Sequence, residues 1–333
     1  MRRWLSTLVG FYKPTQGEEL DSLTKLLYSA RSVILVISAQ AAIISGLLSL
    51  YSGNFNLILF TLVLIGYVSL HMVSNLSNDY FGYARGNDIP GSPRLSYTPH
   101  PIASGYFSKS QIRIVTLCIL TIPVAIASYL FFVRGPYLLL FAIPGFLLLY
   151  LYDASKVTLK SIGLGEVASF LVWGPIMITG GYFAITGSIS YLALAISVPY
   201  GLGVMSILLA KHIDQLDFDS SIKQNTLPVL LGERGARRLA NVIVLAMYIF
   251  PVGVLLVTRN IEFVPFLILF LNISSLKRTL ISFTKVKPKE PPQGYVGWPL
   301  WYHRFALVHN RRFGWLYIAG ITLAVLFKFL LPS

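Results

Sequence analysis

Two short stretches rich in aspartate, residues 75–88 and 214–219, interrupt an otherwise apolar chain. Paired carboxylates beside cations suit a divalent metal that bridges protein to a phosphorylated ligand. Magnesium sheds its waters reluctantly and is held by one or two carboxylates plus phosphate oxygens. His71, Asn75 and Asp79 recur at intervals of four, with Asn78 adjacent, so they lay a polar stripe along one helix face. Such a stripe in a membrane helix turns toward the bundle interior or a wet cavity. His71 alone reads as an interhelical hydrogen-bonding residue. Asn75 and Asp79 read as functional, because the segment continues to Arg85 and Asp88, a mixture that fits a metal-bridged anion.

The second stretch runs from Lys211 through Asp214, Asp217 and Asp219. Three carboxylates this close repel one another unless a cation or solvent offsets them. Asp214 and Asp217 can share a helical face, whereas Asp219 needs a turn to point inward. In isolation a solvated loop explains the stretch equally well; opposite the first stretch, metal binding explains it better. Lys156 and Lys160, with Lys211 and Lys223 flanking the second stretch, could hold the charge of a departing diphosphate. Each of these lysines is also explained by membrane topology alone. Glu166 opens a predicted helix, where it complements the dipole.

The elements that position these residues follow from composition. Hydrophobic residues make up 55% of the chain and charged residues 12%, about half the charged share of a soluble domain. Apolar segments long enough to cross a bilayer are predicted near 29–51, 56–78, 110–133, 136–152, 164–185, 189–211, 237–257, 261–283 and 313–331. This predicts an all-α, polytopic membrane protein with nine spans. The net charge of +14 is spread over the N-terminus and alternate connections, which is the positive-inside pattern and argues against a nucleic-acid patch. It predicts a cell-membrane protein with the N-terminus cytoplasmic, the C-terminus outside and both Asp stretches on the cytoplasmic face. Cys118 stands alone inside a predicted span, so no disulfide or cysteine metal site is expected.

The whole chain, 1–333, reads as one integral membrane domain. Residues 1–20 are expected to form an interfacial segment rather than a cleavable signal. Three longer connections, 79–109, 212–236 and 284–312, share one face, where binding and catalysis concentrate. The third carries Trp298, Trp301 and Tyr302, which read as headgroup-level anchors.

The first Asp stretch, with Asn75, Asn78-Asp79-Tyr80, Gly82, Arg85-Gly86 and Asp88, resembles the first Asp-rich motif of the UbiA superfamily of intramembrane prenyltransferases. The form is closest to its menaquinone branch, the 1,4-dihydroxy-2-naphthoate prenyltransferases. Further matches are Pro101, Ser104-Gly105, Gly163, Gly165-Glu166, Trp173-Gly174-Pro175 and the run from Asn225 to Gly232, in family order over roughly residues 20–260. Three positions depart from the pattern: Gly82 and Gln215 stand where the family commonly has aspartate, and His100 where it often has a basic residue.

The resemblance implies nine helices around a central cavity that takes the tail of an isoprenyl diphosphate, with Mg2+ at the Asp stretches. It implies an aromatic quinone-precursor acceptor and magnesium-assisted diphosphate departure. The expected metal ligands are drawn from Asp79, Asp88, Asp214, Asp217 and Asp219, with Asp79, Asp214 and Asp219 as catalytic candidates. Asn75, Asn78, Arg85, Lys156, Lys160, Lys211 and Lys223 are the expected substrate contacts. A glycerol-phosphate lipid or a porphyrin is the alternative acceptor. A secondary transporter is the alternative of another class, disfavoured because the acidic residues gather at one face rather than at the midplane.

Overall fold

In this computed structural model, residues 3–9, 18–88, 90–97, 99–295 and 297–330 are described; residues 1–2 and 10–17 of the expected interfacial segment lie outside them. Nine helices among these are long and apolar enough to span a bilayer: α1 (Ser32–Tyr51), α2 (Leu57–Ala84), α3 (Lys109–Arg134), α4 (Pro136–Asp153), α5 (Gly165–Thr186), α6 (Tyr191–Asp214), α7 (Leu227–Val257), α8 (Ile261–Thr284) and α9 (Tyr302–Leu330). No strand occurs among the described residues. The fold is all-α and multi-pass.

Three helices run past the predicted spans. α2 continues through Asp79 to Ala84, α7 begins at Leu227 and kinks at Gly232, and α9 begins at Tyr302. Hydropathy detects where the bilayer ends, whereas backbone hydrogen bonding carries the helix on through Asp79, Arg237-Arg238 and Arg311-Arg312.

The bundle packs through small residues. A Cβ on Gly174 of α5 would meet the Cα of Gly201 on α6 at 3.0 Å, so the two glycines let these helices touch backbone to backbone. Around this seam, α1, α5, α6, α7, α8 and α9 enclose the apolar core, including Ile44, Tyr200, Met247, Phe266, Phe313 and Tyr317. α3 and α4 are largely exposed along their length; lipid is the solvent that covers such apolar surfaces. Between the two groups lies a cavity of about 720 Å³, lined by residues of α1 to α6 and closed on one side by Gly297, Leu300, His303 and Arg304.

The aromatics of this segment pack on one another. Tyr295 packs against Trp298 and Trp301, and Trp301 against Phe305, while Gly297 and Leu300 of the same segment line the cavity. Arg304 stacks on Tyr295 and Lys287 on Trp298.

Candidate active site

α2 presents its polar stripe inward, as the four-residue spacing predicts. Asn75 donates to the carbonyl of Ala30 at 2.9 Å. One turn later the fully buried Asp79 pairs with Arg31 and, through both oxygens, with Arg94 at 2.9 and 2.7 Å. Asn75 and Asp79 thus pin consecutive residues of the segment leading into α1. Arg31 is held there with φ of 54°, a left-handed conformation uncommon outside glycine. Burial works against the charge of Arg94, but the adjacent Asp79 carboxylate outweighs it and holds the guanidinium more firmly protonated than usual.

Asn78 faces the other way. It donates to both oxygens of Asp153, at 3.1 and 3.0 Å, and Lys160 completes that carboxylate at 2.6 Å. Arg85 leans back over Phe81 and caps the carbonyls of Asp153 and Ser155 at 2.5 and 2.9 Å, which secures the end of α4.

Asp88 returns toward α2 beyond its C-terminus. A Cβ on Gly82 would overlap Asp88 Oδ2 and stand 3.1 Å from its Cγ, so the carboxylate occupies the space a side chain at 82 would take. His100 lies 3.2 Å from the same oxygen. Its Nδ1 accepts the backbone N–H groups of Ile102 and Ala103, each at 3.2 Å, which leaves the ring proton on Nε2 to donate to Asp88. His100, at the departure from the family pattern, therefore orients Asp88. Potential ligand atoms of Asp79, Asp88 and His100 lie within 4.8 Å of one another, although Asp79 is engaged by two arginines.

The second stretch divides at Gln215, where φ of −109° and ψ of 8° end α6 and a new short helix, Leu216–Ser221, begins. The break rotates the three aspartates apart, contrary to the shared face expected of Asp214 and Asp217. Asp214 accepts from the backbone N–H groups of Tyr302 and His303, at 3.1 and 2.9 Å, with Lys287 at 3.6 Å. It caps the start of α9, whose first N–H groups lack intrahelical partners, and does not reach the other candidates. Asp217 is exposed. Asp219 is buried and accepts from Gln224 and Thr226, each at 3.2 Å. Burial pushes its carboxyl above the ordinary range despite the nearby His212 and Lys211.

Asp219 and Asp88 meet across a polar pocket of about 60 Å³, with Asn78, Gly82, Arg94, Tyr152, Lys160, Lys211, His212, Gln215 and Gln224 around them. Asn78, Tyr152 and Lys211 line both this pocket and the large apolar cavity, so the two spaces adjoin. At Tyr97 the nearby cations prevail. Burial works to raise the Tyr97 hydroxyl, yet Lys211, Arg94 and Arg31 outweigh it and hold the group below its ordinary value. Lys156 and Lys223 are exposed and line neither space. An anion at the pocket with an apolar tail in the cavity is what this arrangement accommodates.

A family model, the UbiA prenyltransferase family, matches residues 39–306. The chain belongs to this family. Among curated UbiA relatives, the 1,4-dihydroxy-2-naphthoate octaprenyltransferase of Bacillus subtilis is 24% identical over 244 residues, covering 73% of this chain and 76% of that protein. A UbiA homologue from Archaeoglobus fulgidus, solved with GPP and Mg2+, superposes with a TM-score of 0.59 at 15% identity, over 90% of this chain and 99% of the other. A digeranylgeranylglyceryl phosphate synthase superposes equally well, 0.59 at 16% identity, over 91% and 99%. At such identities the superpositions establish the UbiA fold alone. Membership in a family of prenyltransferases replaces the transporter reading.

Sequence reasoning did not find Arg31, Arg94 or Asp153. Arg31 and Arg94 sit in sequence contexts without a motif, and Asp153 ends an apolar helix. A lone aspartate closing α4, seven residues before Lys160, was the one available signal. Buried Glu166 lies 2.7 Å from His212, which lines the pocket, so it supports His212 as well as opening its helix.

Proposed function

We propose that this protein transfers a prenyl group from an isoprenyl diphosphate to an aromatic quinone precursor of the naphthoate class. The observation that carries the proposal is the continuity between the small polar pocket and the large apolar cavity through Asn78, Tyr152 and Lys211. A diphosphate ester of a long hydrocarbon has these two halves.

The donor set fits Mg2+. Asp88 and Asp219 offer one hard carboxylate from each Asp stretch, with the amide oxygens of Gln215 and Gln224 nearby; this leaves room for phosphate oxygens and water, as magnesium prefers. When bound, the metal would neutralise charge accumulating on the leaving diphosphate. Lys160, Lys211 and Arg94 add fixed positive charge at the same place, in a site shielded from water where such charge acts strongly. His100 holds Asp88, while Gln224 and Thr226 hold Asp219. Asp79 aligns Arg31 and Arg94 instead of facing the pocket.

Heterolysis of the prenyl C1–O bond leaves both electrons on the diphosphate and an allylic cation at the top of the cavity. The aromatic carbon supplies the electrons of the new C–C bond and then loses the proton or carboxyl group it carried. The apolar wall keeps water from capturing the cation. The naphthoate assignment draws on the curated relatives; the glycerol-phosphate acceptor is the reading tested beside it. We further propose that the pocket faces the cytoplasm, from the Lys and Arg distribution.

Purified protein incubated with geranyl diphosphate and a panel of acceptors, with products read by mass spectrometry, tests the assignment. A prenylated naphthoate that vanishes with chelator and returns with Mg2+ is expected. Full activity in excess chelator defeats the metal role, and products from glycerol phosphate alone defeat the aromatic acceptor.

A further inference from the structure

Inside the apolar cavity, three side chains from three helices form a hydrogen-bonded chain: Ser38 of α1, His71 of α2 and Trp173 of α5, all lining the space. The indole N–H of Trp173 donates to Ser38 Oγ at 3.0 Å. An indole nitrogen can only donate, so Ser38 is an acceptor there. His71 Nδ1 lies 2.9 Å from the same oxygen, and the hydroxyl proton turned toward that nitrogen completes the chain. A neutral imidazole whose Nδ1 accepts carries its proton on Nε2. The ring is steadied edge-on by Trp173, with centroids 5.2 Å apart. Trp173 in turn sits on the π-helical stretch Val172–Thr179, interrupted by Pro175. Such insertions in helices concentrate at functional sites.

With the hydroxyl proton so placed, Nε2 carries the ring proton and has no acceptor among the described residues, on a residue only 6% exposed. Interhelical bonding accounts for Nδ1 but leaves Nε2–H unused. We propose that His71 Nε2–H is the donor that seats a polar edge of the aromatic acceptor, a ring oxygen or carboxylate, and so selects the acceptor. This inference rests on the prenyl-transfer reading above. The other substrate cannot be its partner at this depth: a prenyl tail carries no acceptor atom. His71 lies eight residues below Asp79, roughly 12 Å of helical rise, within the apolar part of the cavity. A glycerol phosphate would keep its charge at the cationic mouth and leave Nε2–H unpaired. A flat aromatic reaching inward from the prenyl C1 can place an oxygen against it.

The test measures kcat and the KM of each substrate for wild type, His71→Phe, His71→Gln and Ser38→Ala, using geranyl diphosphate with 1,4-dihydroxy-2-naphthoate or with analogues lacking the carboxyl or one hydroxyl. Loss of one neutral hydrogen bond should raise the acceptor KM of His71→Phe about tenfold, with the donor KM unchanged. His71→Gln, which keeps an N–H donor, should recover part of the loss, and Ser38→Ala, which frees the tautomer, should fall between. One analogue should show the same deficit with wild type and none further with His71→Phe. If His71→Phe does not fold, His71→Gln and Ser38→Ala carry the comparison. Naphthoate turnover with an unchanged acceptor KM, or equal changes in both KM values, overturns the role of His71 while leaving prenyl transfer intact. Absence of naphthoate turnover in wild type overturns both.

Discussion

Replacing Gly82 with alanine isolates the role of Asp88 without touching a charged group. The added Cβ would overlap Asp88 Oδ2 and approach Cγ to 3.1 Å, against an ordinary contact of 3.4 Å or more. The obstructing atoms are the tip of a movable side chain, so the carboxylate yields rather than the backbone. A retreat of about 1 Å breaks the 3.2 Å contact with His100 and carries the oxygen off the proposed metal position; misplacement on that scale costs roughly 100-fold in rate. Alanine in place of helical glycine otherwise stabilises by about 0.5–1 kcal/mol, somewhat less near the end of α2. Gly82→Ala should therefore melt in detergent at or above the wild-type temperature, while the Mg2+ concentration for half-maximal activity rises and the rate falls. Adding Asp88→Ala to it should cost little more, since both changes remove the same ligand. A Gly82→Ala protein with normal Mg2+ dependence and rate would falsify the assignment of Asp88 to the metal pocket.

Asp79→Ala should behave oppositely. It strands two guanidinium groups, with Arg94 largely buried, and breaking a buried ion pair costs roughly 3–5 kcal/mol. Its melting temperature should drop well below that of Asp219→Asn; equal melting curves would remove the structural role of Asp79. The raised proton affinity of Asp219 sets a pH dependence. Metal binding requires the ionised carboxylate, so Mg2+ affinity should weaken as pH falls toward and through that raised value. In chelator the sign reverses: a folded-state value above the unfolded one gives stability that is present at low pH and lost as pH rises through it. Titrations of Asp219→Asn should lack both slopes, and their persistence would shift the effect to another group. Topology is tested by single cysteines at the exposed Lys156, Ser221 and Ser188 in a Cys118→Ala background. Lys156 and Ser221 should resist impermeant thiol reagents in intact cells while Ser188 reacts; labelling of Lys156 and Ser221 from opposite sides sinks the shared site.

Composition and spacing made the nine-helix membrane fold legible, because a bilayer imposes its thickness on the apolar run length regardless of packing. The four-residue stripe on α2 and the two Asp stretches were equally legible, since helical periodicity and charge density are local properties. Which aspartate does what was not local. Asp214 and Asp219 lie five residues apart, yet a helix break at Gln215 sends one to cap α9 and the other into the pocket. Asp79 matched the motif but is saturated by Arg31 and Arg94, partners 48 and 15 residues away. Lys156 and Lys160 look alike in sequence; the turn between them exposes the first and pairs the second with Asp153. Gly82 reads as a missing carboxylate until the backbone returns Asp88 to the same space. Sequence alone determines which chemistry the chain can assemble, because residue types and helical spacing are written in it. Tertiary structure decides which carboxylates remain free to perform it, because an ion pair or cap removes a ligand and forms only between residues the fold brings together.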